Sequence, residues 1–314
     1  MSNVLTTQMN EYEDRIEIHF MDDNGDADFI VYKVFEGIWL AFSSIHTDEC
    51  RLTPVTEGDF IEISHCREGR LEMSSGEDYF YLTPGDLSVV KRNQMEMDVM
   101  LPLHHYHGIS IVIKADFVPK VFRTMLRETP VNPMEVANKL CGDKEHYIAR
   151  SEAYVEHIFS ELYNVPEKIR AGYFKIKVLE LLLMLSSIEV GENSEAARRM
   201  TFEQVQLAKE VCEYLRSRMH KRPTIMELSQ HFHISQTKLK EVFKGVYGMP
   251  IYSYIKVQKM QSAALQLIHT ERTVLDIALD HGYSSSSKFS NVFREIMGEL
   301  PLDYRRAHGK RESI

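Results

Sequence analysis

The last third of the chain contains the same residue pattern twice, at a spacing of 50 residues. The shared positions are an aliphatic, aromatic and basic triplet, a glycine and a tyrosine: Val242-Phe243-Lys244, Gly248 and Tyr254 in the first copy, and Val292-Phe293-Arg294, Gly298 and Tyr304 in the second. A repeat at a fixed period indicates one supersecondary unit that is built twice. The pattern therefore predicts two similar helical units at the end of the chain.

Each copy begins with a short helix pattern, followed by a tight connection and a second helix pattern. Thr224 with Glu227 has the spacing of a capping box, and Thr273-x-x-Asp276 resembles one. The connection after the second of these short helices contains Gly282, a residue suited to a left-handed backbone. A short helix, a tight turn and a second helix are the plan of a helix-turn-helix unit.

The second helix of each copy has an apolar inward face and a polar outward face. The outward residues of the first copy are Gln236, Thr237, Lys238, Lys240, Glu241 and Lys244, and those of the second copy are Ser285, Ser286, Ser287, Lys288, Asn291 and Arg294. Such side chains suit hydrogen bonds to base edges and to phosphates. Because serine reaches fewer bases than glutamine or arginine, we expect the first unit to read sequence and the second mainly to position the domain.

One long helix, from Ile251 to about His269, is predicted between the two copies. At about 1.5 Å per residue this spacer is roughly 28 Å long. A spacer of this length suits two recognition helices about 34 Å apart, which is one turn of DNA. We therefore expect one chain to enter two adjacent major grooves of double-stranded DNA.

Charge is divided unevenly along the chain. Residues 201–314 contain 17 Lys+Arg and 12 Asp+Glu, a net charge of +5, whereas the first 200 residues contain 20 and 34, a net charge of -14. Phosphate binding needs a local positive field rather than a basic protein overall. The charge pattern thus favours nucleic acid as a partner of the C-terminal part alone.

The run from Ala263 to Arg305 carries a dense set of motif positions: Ile277-Ala278, Gly282-Tyr283, Lys288-Phe289-Ser290, Phe293-Arg294, Gly298, Pro301 and Tyr304-Arg305. This run resembles the C-terminal signature of the AraC family of transcription factors, and the resemblance covers about Phe202 to Arg306. It implies an all-α domain of two helix-turn-helix units joined by a long helix. It also implies a transcriptional regulator, an activator by family analogy, with RNA polymerase as a further partner.

The resemblance places the base-contacting positions on the two recognition helices. They fall at Gln236, Thr237, Lys240 and Glu241 in the first helix and at Ser286, Ser287 and Asn291 in the second. Arg305 is a candidate phosphate contact, with a solvated tail charge as the alternative. Lys259 stands where many family members have arginine, which leaves the role of this residue open.

The N-terminal half has a different character. Residues from about Ile16 to Ile113 form short β-rich runs with turn signals, which predicts a small antiparallel barrel or sandwich. From Ala115 the pattern turns helical, with amphipathic segments from Glu152 to Asn164 and from Lys168 to Ile188. The predicted domains are a cupin-like barrel at 1–114, a helical dimerisation region at 115–190, a linker at 191–200 and the DNA-binding domain at 201–314.

Relatives in the resembled family carry a cupin-like barrel that senses a small molecule and a helical pair that dimerises. The resemblance therefore implies an effector inside the barrel and a homodimer. An apolar pocket with a few polar groups is the usual form of such a site. The candidate effector-binding residues are Trp39, Phe42, Ile63, His65, Arg70, Glu72 and His107.

Histidines and cysteines are concentrated in the same half: His46, Cys50, His65, Cys66, His104, His105 and His107. Imidazole and thiolate are ligands for transition metals. However, the spacing matches neither a zinc site nor the pattern of enzymatic cupins, and His65 and Cys66 should face opposite sides of a strand. We therefore expect no metal, no cofactor and no enzymatic activity.

Two rival interpretations remain. The barrel could be a dimerisation scaffold in a regulator that needs no ligand, or a cupin metalloenzyme could be fused to a DNA-binding domain. The four cysteines show no CxxC pair, the N-terminus has no secretory pattern, and the most apolar stretch, Val178 to Val190, is too short to span a bilayer. These features predict a cytoplasmic protein with reduced thiols and no membrane contact.

Overall fold

The computed structural model describes residues 6–22, 25–52, 58–75, 78–93, 97–115, 131–142, 144, 146–189, 199–218 and 223–308. The chain divides into two compact units, Met1–Met200 and Thr201–Ile314. The first unit contains both the predicted barrel and the predicted helical region. Most of the predicted linker at 191–200 lies outside the described residues, and Arg199 and Met200 belong to a short strand.

The first unit is built on two sheets whose described strand pairs are antiparallel. The strands are β1 (Thr6–Glu11), β2 (Arg15–Asp22), β3 (Gly25–Phe35), β4 (Ile38–His46), β5 (Glu49–Leu52), β6 (Asp59–Gly69), β7 (Leu71–Ser75), β8 (Asp78–Leu82), β9 (Asp86–Asn93), β10 (Met97–Met100), β11 (Tyr106–Lys114), β12 (His146–Arg150) and β13 (Arg199–Thr201). The large sheet has the order β1-β2-β3-β4-β11-β6-β9-β12, and the small sheet has the order β13-β8-β7-β10-β5.

Side chains alternate between the two faces of the large sheet, as strand geometry requires. Ala27, Ile45, Cys66 and Tyr106 face the small sheet and pack with Leu71, Met73, Phe80, Leu82 and Val99. We call this the inner face. Ile38, Leu40, Ile61, Ile63 and Ile109 face the other way and pack on helices. We call this the outer face. Both sides of the sheet are therefore covered by apolar cores.

Three described α-helices belong to this unit: α1 (Pro133–Cys141), α2 (Ala153–Leu162) and α3 (Arg170–Ser187), the last preceded by a 3-10 turn at Glu167–Ile169. Helix α1 starts at Asn132, whose side chain accepts a hydrogen bond from the Met134 amide, and Pro133 takes the first helical position. The last two helices confirm the predicted amphipathic segments, with shorter bounds. Strand β12 was not predicted: it lies in the region expected to be helical, and it pairs with β9.

The second unit is helical apart from Thr201, the last residue of β13. Its helices are α4 (Phe202–Arg216), α5 (Ile225–His231), α6 (Gln236–Tyr247), α7 (Ile251–His269), α8 (Val274–Asp280), α9 (Ser286–Met297) and α10 (Pro301–His308). The pairs α5–α6 and α8–α9 are the two predicted helix-turn-helix units, and α7 is the predicted spacer. An antiparallel β unit followed by this all-α unit confirms the fold class expected from the sequence.

The repeat extends to the ends of the second helices. Ser235 and Ser285 cap α6 and α9 by accepting hydrogen bonds from the Lys238 and Lys288 amides. Both helices end at a glycine in the left-handed conformation, Gly248 with φ 75° and Gly298 with φ 81°. The same residue types at the same offsets therefore start and stop both helices.

The two turns differ at the residue that follows the cap of the first helix. In the second helix-turn-helix unit this residue is Gly282, with φ +78°. In the first helix-turn-helix unit it is His233, with φ 54°. His233 is one of two non-glycine residues with positive φ in the described part of the chain. A side chain in this conformation costs about 1–2 kcal/mol through contact of Cβ with the backbone. The first turn is therefore strained where the second is not.

We predict that His233→Gly stabilises the chain. Relief of the backbone contact should exceed the roughly 0.5–1 kcal/mol that glycine loses through greater freedom in the unfolded chain. The free energy of unfolding in urea should rise by about 0.5–1 kcal/mol. The matched control is Gly282→Ala, which should be destabilising although its Cβ would meet only the Lys259 ammonium, at 3.5 Å. A loss of stability in His233→Gly would contradict the assignment of strain.

Candidate nucleic-acid interface

Helix α6 presents a polar surface to solvent because its apolar residues fix its rotation. Leu239, Val242 and Phe243 are at most 2% exposed, and Phe243 stacks with Tyr247 at a centroid distance of 4.6 Å. The six predicted outward residues are all exposed: Gln236, Thr237, Lys238, Lys240, Glu241 and Lys244. Among the described residues the ammonium groups of these lysines have no hydrogen-bond or ion-pair partner. They are available to an anionic ligand.

Helix α9 is held in the same way by Phe289 and Phe293, which are fully buried in the core of the second helix-turn-helix unit. Four of its predicted residues are exposed: Ser287, Lys288, Asn291 and Arg294. Ser286 is half-buried, and so is Ser285, which is occupied as the helix cap. The second surface therefore has fewer free polar groups than the first.

The spacer α7 is packed into both helix-turn-helix units. At its first end Tyr254, 1% exposed, packs edge-on against Phe243 and at a tilt against Tyr247, both in the first helix-turn-helix unit. Toward its second end Met260, Ala263, Ala264 and Leu267 lie in the core of the second helix-turn-helix unit. Because both ends are buried, the spacer fixes the separation of the two recognition helices.

A buried polar cluster joins α4 to the spacer. The Tyr254 hydroxyl accepts hydrogen bonds from Cys212 Sγ at 3.1 Å and from Arg216 Nη2 at 3.2 Å. Burial, followed by the electrostatic interaction with Cys212, raises the pKa of Tyr254, which favours the protonated hydroxyl. The cluster is thus a structural contact between α4 and the first helix-turn-helix unit.

Lys259 has a definite structural role. Its side chain is 2% exposed, and Nζ donates a hydrogen bond to the His281 carbonyl at 2.9 Å, at the C-terminal end of α8. A cation is favoured at a helix C-terminus because free carbonyls and the helix dipole concentrate negative charge there. Lys259 therefore joins the spacer to α8, the first helix of the second helix-turn-helix unit. This role answers the question left open by the sequence.

Arg305 does not lie where the sequence placed it. Its guanidinium donates from Nε to the Leu267 carbonyl at 3.0 Å and from Nη2 to the Arg272 carbonyl at 2.5 Å. These bonds join α10 to the end of the spacer and to the loop that follows. The structure thus corrects the predicted phosphate contact: the donors of Arg305 satisfy backbone carbonyls inside its own unit.

The predicted effector residues do not share one pocket. Trp39 alternates with Ile38 and Leu40 and so faces inward, whereas Phe42, Ile63 and His65 lie on the outer face. Phe42 packs on Tyr32 and Phe174, and His65 stacks on Phe159 at 4.5 Å with its Nε2 2.7 Å from Glu156. The prediction that these residues line a barrel interior together is wrong for the last three, because they fill the contact between sheet and helices.

Arg70 and Glu72 belong to a separate buried cluster. The Tyr81 hydroxyl donates to Glu72 at 2.5 Å, and the Arg70 guanidinium lies 4.5 Å from the centre of the Tyr81 ring. Burial lowers the pKa of Arg70 to about 10, and burial, then Glu72, raises that of Tyr81. Glu72 and Tyr81 are paired on the small sheet, on the face opposite to Leu71 and Leu82. The Tyr81 hydroxyl and the Glu72 carboxylate thus satisfy each other's hydrogen bonding, and neither side chain faces Trp39.

His107, the remaining candidate, lies on the outer side of β11 near its start. Its Nε2 is 3.0 Å from Nε2 of His46 on β4. Burial and then the neighbouring His46 lower the pKa of His107, which disfavours a charge on this ring. His107 is therefore part of a histidine pair at one end of the adjacent central strands β4 and β11.

Sequence reasoning missed a polar group on the inner face. Arg92 Nε lies 3.2 Å from a Glu62 carboxylate oxygen, Ser64 donates to Glu62 at 3.1 Å, and the Ser64 and Ser110 hydroxyls are 2.8 Å apart. Trp39 and Glu62 both flank Val112 in register, so they share this face. The signal was present in the sequence, since Glu62 and Ser64 alternate with Ile61 and Ile63.

Residues 228–307 match a protein family described as a helix-turn-helix domain. An uncharacterized HTH-type transcriptional regulator of Staphylococcus aureus strain COL is 29% identical over 96 residues, which is 31% of this chain and 13% of that protein. The HTH-type transcriptional activator AarP of Providencia stuartii is 28% identical over 109 residues, 35% of this chain and 81% of AarP. The chain thus spans about an eighth of the staphylococcal relatives and most of AarP.

Solved structures give similar matches. The C-terminal domain of AraT, a response regulator from Geobacillus stearothermophilus, is 24% identical with a TM-score of 0.33, covering 34% of this chain and 90% of that one. ToxT from Vibrio cholerae is 12% identical with a TM-score of 0.31, covering 87% of this chain and 100% of that one.

Two packed helix-turn-helix units with exposed polar second helices define the C-terminal unit as a domain of the helix-turn-helix class. More narrowly, the family match places residues 228–307 in a helix-turn-helix domain, and the relatives that share this region are HTH-type transcriptional regulators. Across the described residues, none of the helices combines the length and apolar character that a membrane crossing requires.

We predict that Arg305→Ala destabilises the second unit. The change removes two donors from backbone carbonyls, and each unmade bond of this kind costs about 1 kcal/mol. Urea unfolding should therefore show a loss of roughly 1–2 kcal/mol even without DNA. Arg306→Ala is the matched control: Arg306 has a 76% exposed side chain and one ion pair with Asp303, so its removal should leave stability nearly unchanged. Equal stability of both variants would restore the phosphate role.

Proposed function

We propose that the chain is a sequence-specific, DNA-binding transcriptional regulator of the AraC type, in which one chain occupies two adjacent major grooves. The observation that carries the proposal is the pair of helix-turn-helix units, each with an exposed polar recognition helix, on one spacer that is buried at both ends. The net charge of +5 on residues 201–314 supports it, because a local positive field attracts the phosphate backbone.

The two recognition helices take unequal roles in this proposal. Gln236, Thr237, Lys240 and Glu241 read bases from the first helix, while Lys238 and Lys244 bind phosphates. In the second helix Asn291 and the serines Ser286 and Ser287 make fewer base contacts, and Lys288 and Arg294 bind the backbone. Glutamine and asparagine pair with adenine, and lysine pairs with guanine, in the major groove. Specificity therefore comes mainly from the first helix.

Activation is the proposed direction of regulation, with RNA polymerase as a partner. The support is the name of AarP, an HTH-type transcriptional activator of which this chain covers 81% at 28% identity. The name describes that protein, and this chain is similar to it over 109 residues.

The DNA assignment predicts a graded response to substitution. Gln236→Ala with Lys240→Ala should weaken binding to the chain's own operator by about 2–4 kcal/mol, with little effect on random DNA apart from the lost charge. Ser287→Ala with Asn291→Ala should have a smaller effect on sequence preference. Mobility shifts on genomic sites mapped with the wild-type chain, at several salt concentrations, measure both quantities.

Lys168→Ala controls for loss of charge, because Lys168 is exposed and lies in the first unit. It should leave both operator affinity and the salt slope unchanged. Unaltered operator binding by the double variant Gln236→Ala, Lys240→Ala would show that α6 is not the reading helix.

The proposal includes a small-molecule effector on the inner face of the large sheet. Trp39 supplies an aromatic surface there, and Glu62, Arg92, Ser64 and Ser110 supply donors and acceptors. A few polar groups next to an aromatic side chain are typical of ligand sites. Ligand binding regulates DNA binding only if the ligand prefers one of two arrangements of the chain. Without a ligand, the same sheet would be a scaffold for dimerisation alone.

Thermal-shift screening separates these two alternatives. A ligand that binds only the native state raises the melting temperature by mass action, and small polar compounds should include such a ligand. The shift should be lost in Trp39→Ala or Ser110→Ala and kept in Ser44→Ala, which lies on the neighbouring strand and points to the outer face. If every compound that shifts the wild type also shifts the inner-face variants equally, the site is not on this face.

Homodimer formation through α3 completes the proposal. Ile176 is 63% exposed and Met184 37% exposed, and Leu179 and Leu183 are only partly buried where they pack beside the core, so part of the apolar surface of α3, its apolar stripe, is exposed to solvent. Exposed apolar stripes of this kind mark contacts with a partner. A monomeric sedimentation profile at micromolar concentration would contradict this part of the proposal.

A further inference from the structure

A polar patch with an unusual composition lies on the outer side of the large sheet, at the end that the helices leave open. Its members come from adjacent strands: His19 on β2, Asp26 and Asp28 on β3, His46 on β4, His107 on β11 and Glu68 on β6, with His105 just before the start of β11. The DNA-binding function uses none of these residues.

Within the patch, two imidazoles face one another across the β4–β11 pair. Nε2 of His46 and Nε2 of His107 are 3.0 Å apart, and the ring planes are nearly perpendicular, at 85°. His46 is 44% exposed, so solvent and ions reach the pair. We propose that His46 and His107 are the two protein ligands of a transition-metal site, with water in the remaining coordination positions.

The contacts of His46 support a ligand role. Its Nδ1 lies 3.5 Å from the Asp26 carboxylate, and its Nε2 faces His107. A carboxylate near the second ring nitrogen is the usual companion of a metal-binding histidine, because it fixes the tautomer and makes the free nitrogen a better donor. Asp26 is thus a positioning residue in this site.

The other members of the patch lie outside the pair. His19 Nδ1 is bonded to Asp28 at 2.6 Å, and the His105 ring centre is 6.3 Å from that of His107. Among the described residues no group of three or more His, Cys, Asp or Glu side chains is arranged to hold a metal ion. The site therefore has two protein ligands, and its affinity should be that of a chelating pair rather than of a closed structural site.

The spacing of the two nitrogens indicates which ions fit. With metal–nitrogen bonds of about 2.0–2.1 Å, neighbouring ligands in tetrahedral geometry are about 3.3 Å apart, and neighbouring ligands at right angles are about 2.9 Å apart. The observed 3.0 Å is closer to the right-angle value. Square-planar or tetragonal copper(II) and nickel(II) should therefore bind more tightly than tetrahedral zinc, and the Irving–Williams order also places copper first.

Calorimetric titration of the full, untagged chain with NiCl₂ and with a weakly chelated Cu²⁺ salt tests the proposal. The chain has 14 histidines, so the informative quantity is the difference between variants. His46→Gln and His107→Gln should each weaken one equivalent of binding at least tenfold. His19→Gln, a change of the same kind in the same patch, should alter binding less than twofold.

Two further measurements distinguish the loss of a metal ligand from a loss of folding. Ni²⁺ should raise the melting temperature of the wild type and of His19→Gln, but not of the pair variants, which should otherwise melt near the wild-type temperature. The Cu²⁺ electron paramagnetic resonance spectrum should show coupling to two nitrogens, reduced in each pair variant. Equal binding by wild type and both pair variants would overturn the proposal and leave a histidine–histidine hydrogen bond. Tighter binding of Zn²⁺ than of Ni²⁺ would contradict the right-angle geometry argued for the pair.

Discussion

The geometry of the C-terminal unit depends on the burial of one helix, α7, in two separate cores. Its aromatic end lies among Phe243 and Tyr247, and its small-residue end, at Ala263 and Ala264, lets the helices of the second unit approach closely. Burying apolar side chains contributes roughly 1.5–3 kcal/mol each, so neither core releases the spacer without unfolding its own unit. The Lys259 ammonium adds direction to this packing, because it bonds one carbonyl at the end of α8. A rigid spacer holds the two short recognition helices at a fixed separation, which the proposed binding to two adjacent major grooves requires.

The duplicated plan is identical in its ends and different in its turns and surfaces. Serine caps and left-handed glycines recur because every helix must satisfy its terminal backbone groups, and the sequence has few ways to do so. The residues between these ends are free to diverge, and they have: His233 occupies the position taken by Gly282, and a lysine-rich face corresponds to a serine-rich one. Backbone constraints thus preserve the fold, while the exposed positions are free to differ, and in the proposed function they divide between base reading and positioning.

The helical half could be predicted in detail from the sequence, since its signals are local. Caps, turns and the apolar spacing of α6, α7 and α9 all lie within a few residues of the structure that they specify. The sheet half could be predicted only as a class. Strand pairing joins residues far apart in the chain, and the direction of a side chain depends on register: Trp39 and Phe42 are three residues apart and face opposite cores. The role of Arg305 was missed for the same reason, because its carbonyl partners at Leu267 and Arg272 are distant in sequence.

Alternation along β6 gives the first unit a physical route between a ligand and its helices. Glu62 and Ser64 point to the inner face, and Ile63 and His65, their immediate neighbours, point to the outer face. His65 stacks on Phe159 and bonds Glu156, both on α2, which packs against α3. A ligand that shifts β6 by drawing on its inner residues must therefore move the groups that seat α2. Because packed cores take discrete arrangements rather than deforming continuously, such a shift would be passed to the apolar stripe of α3, where the proposed dimer forms.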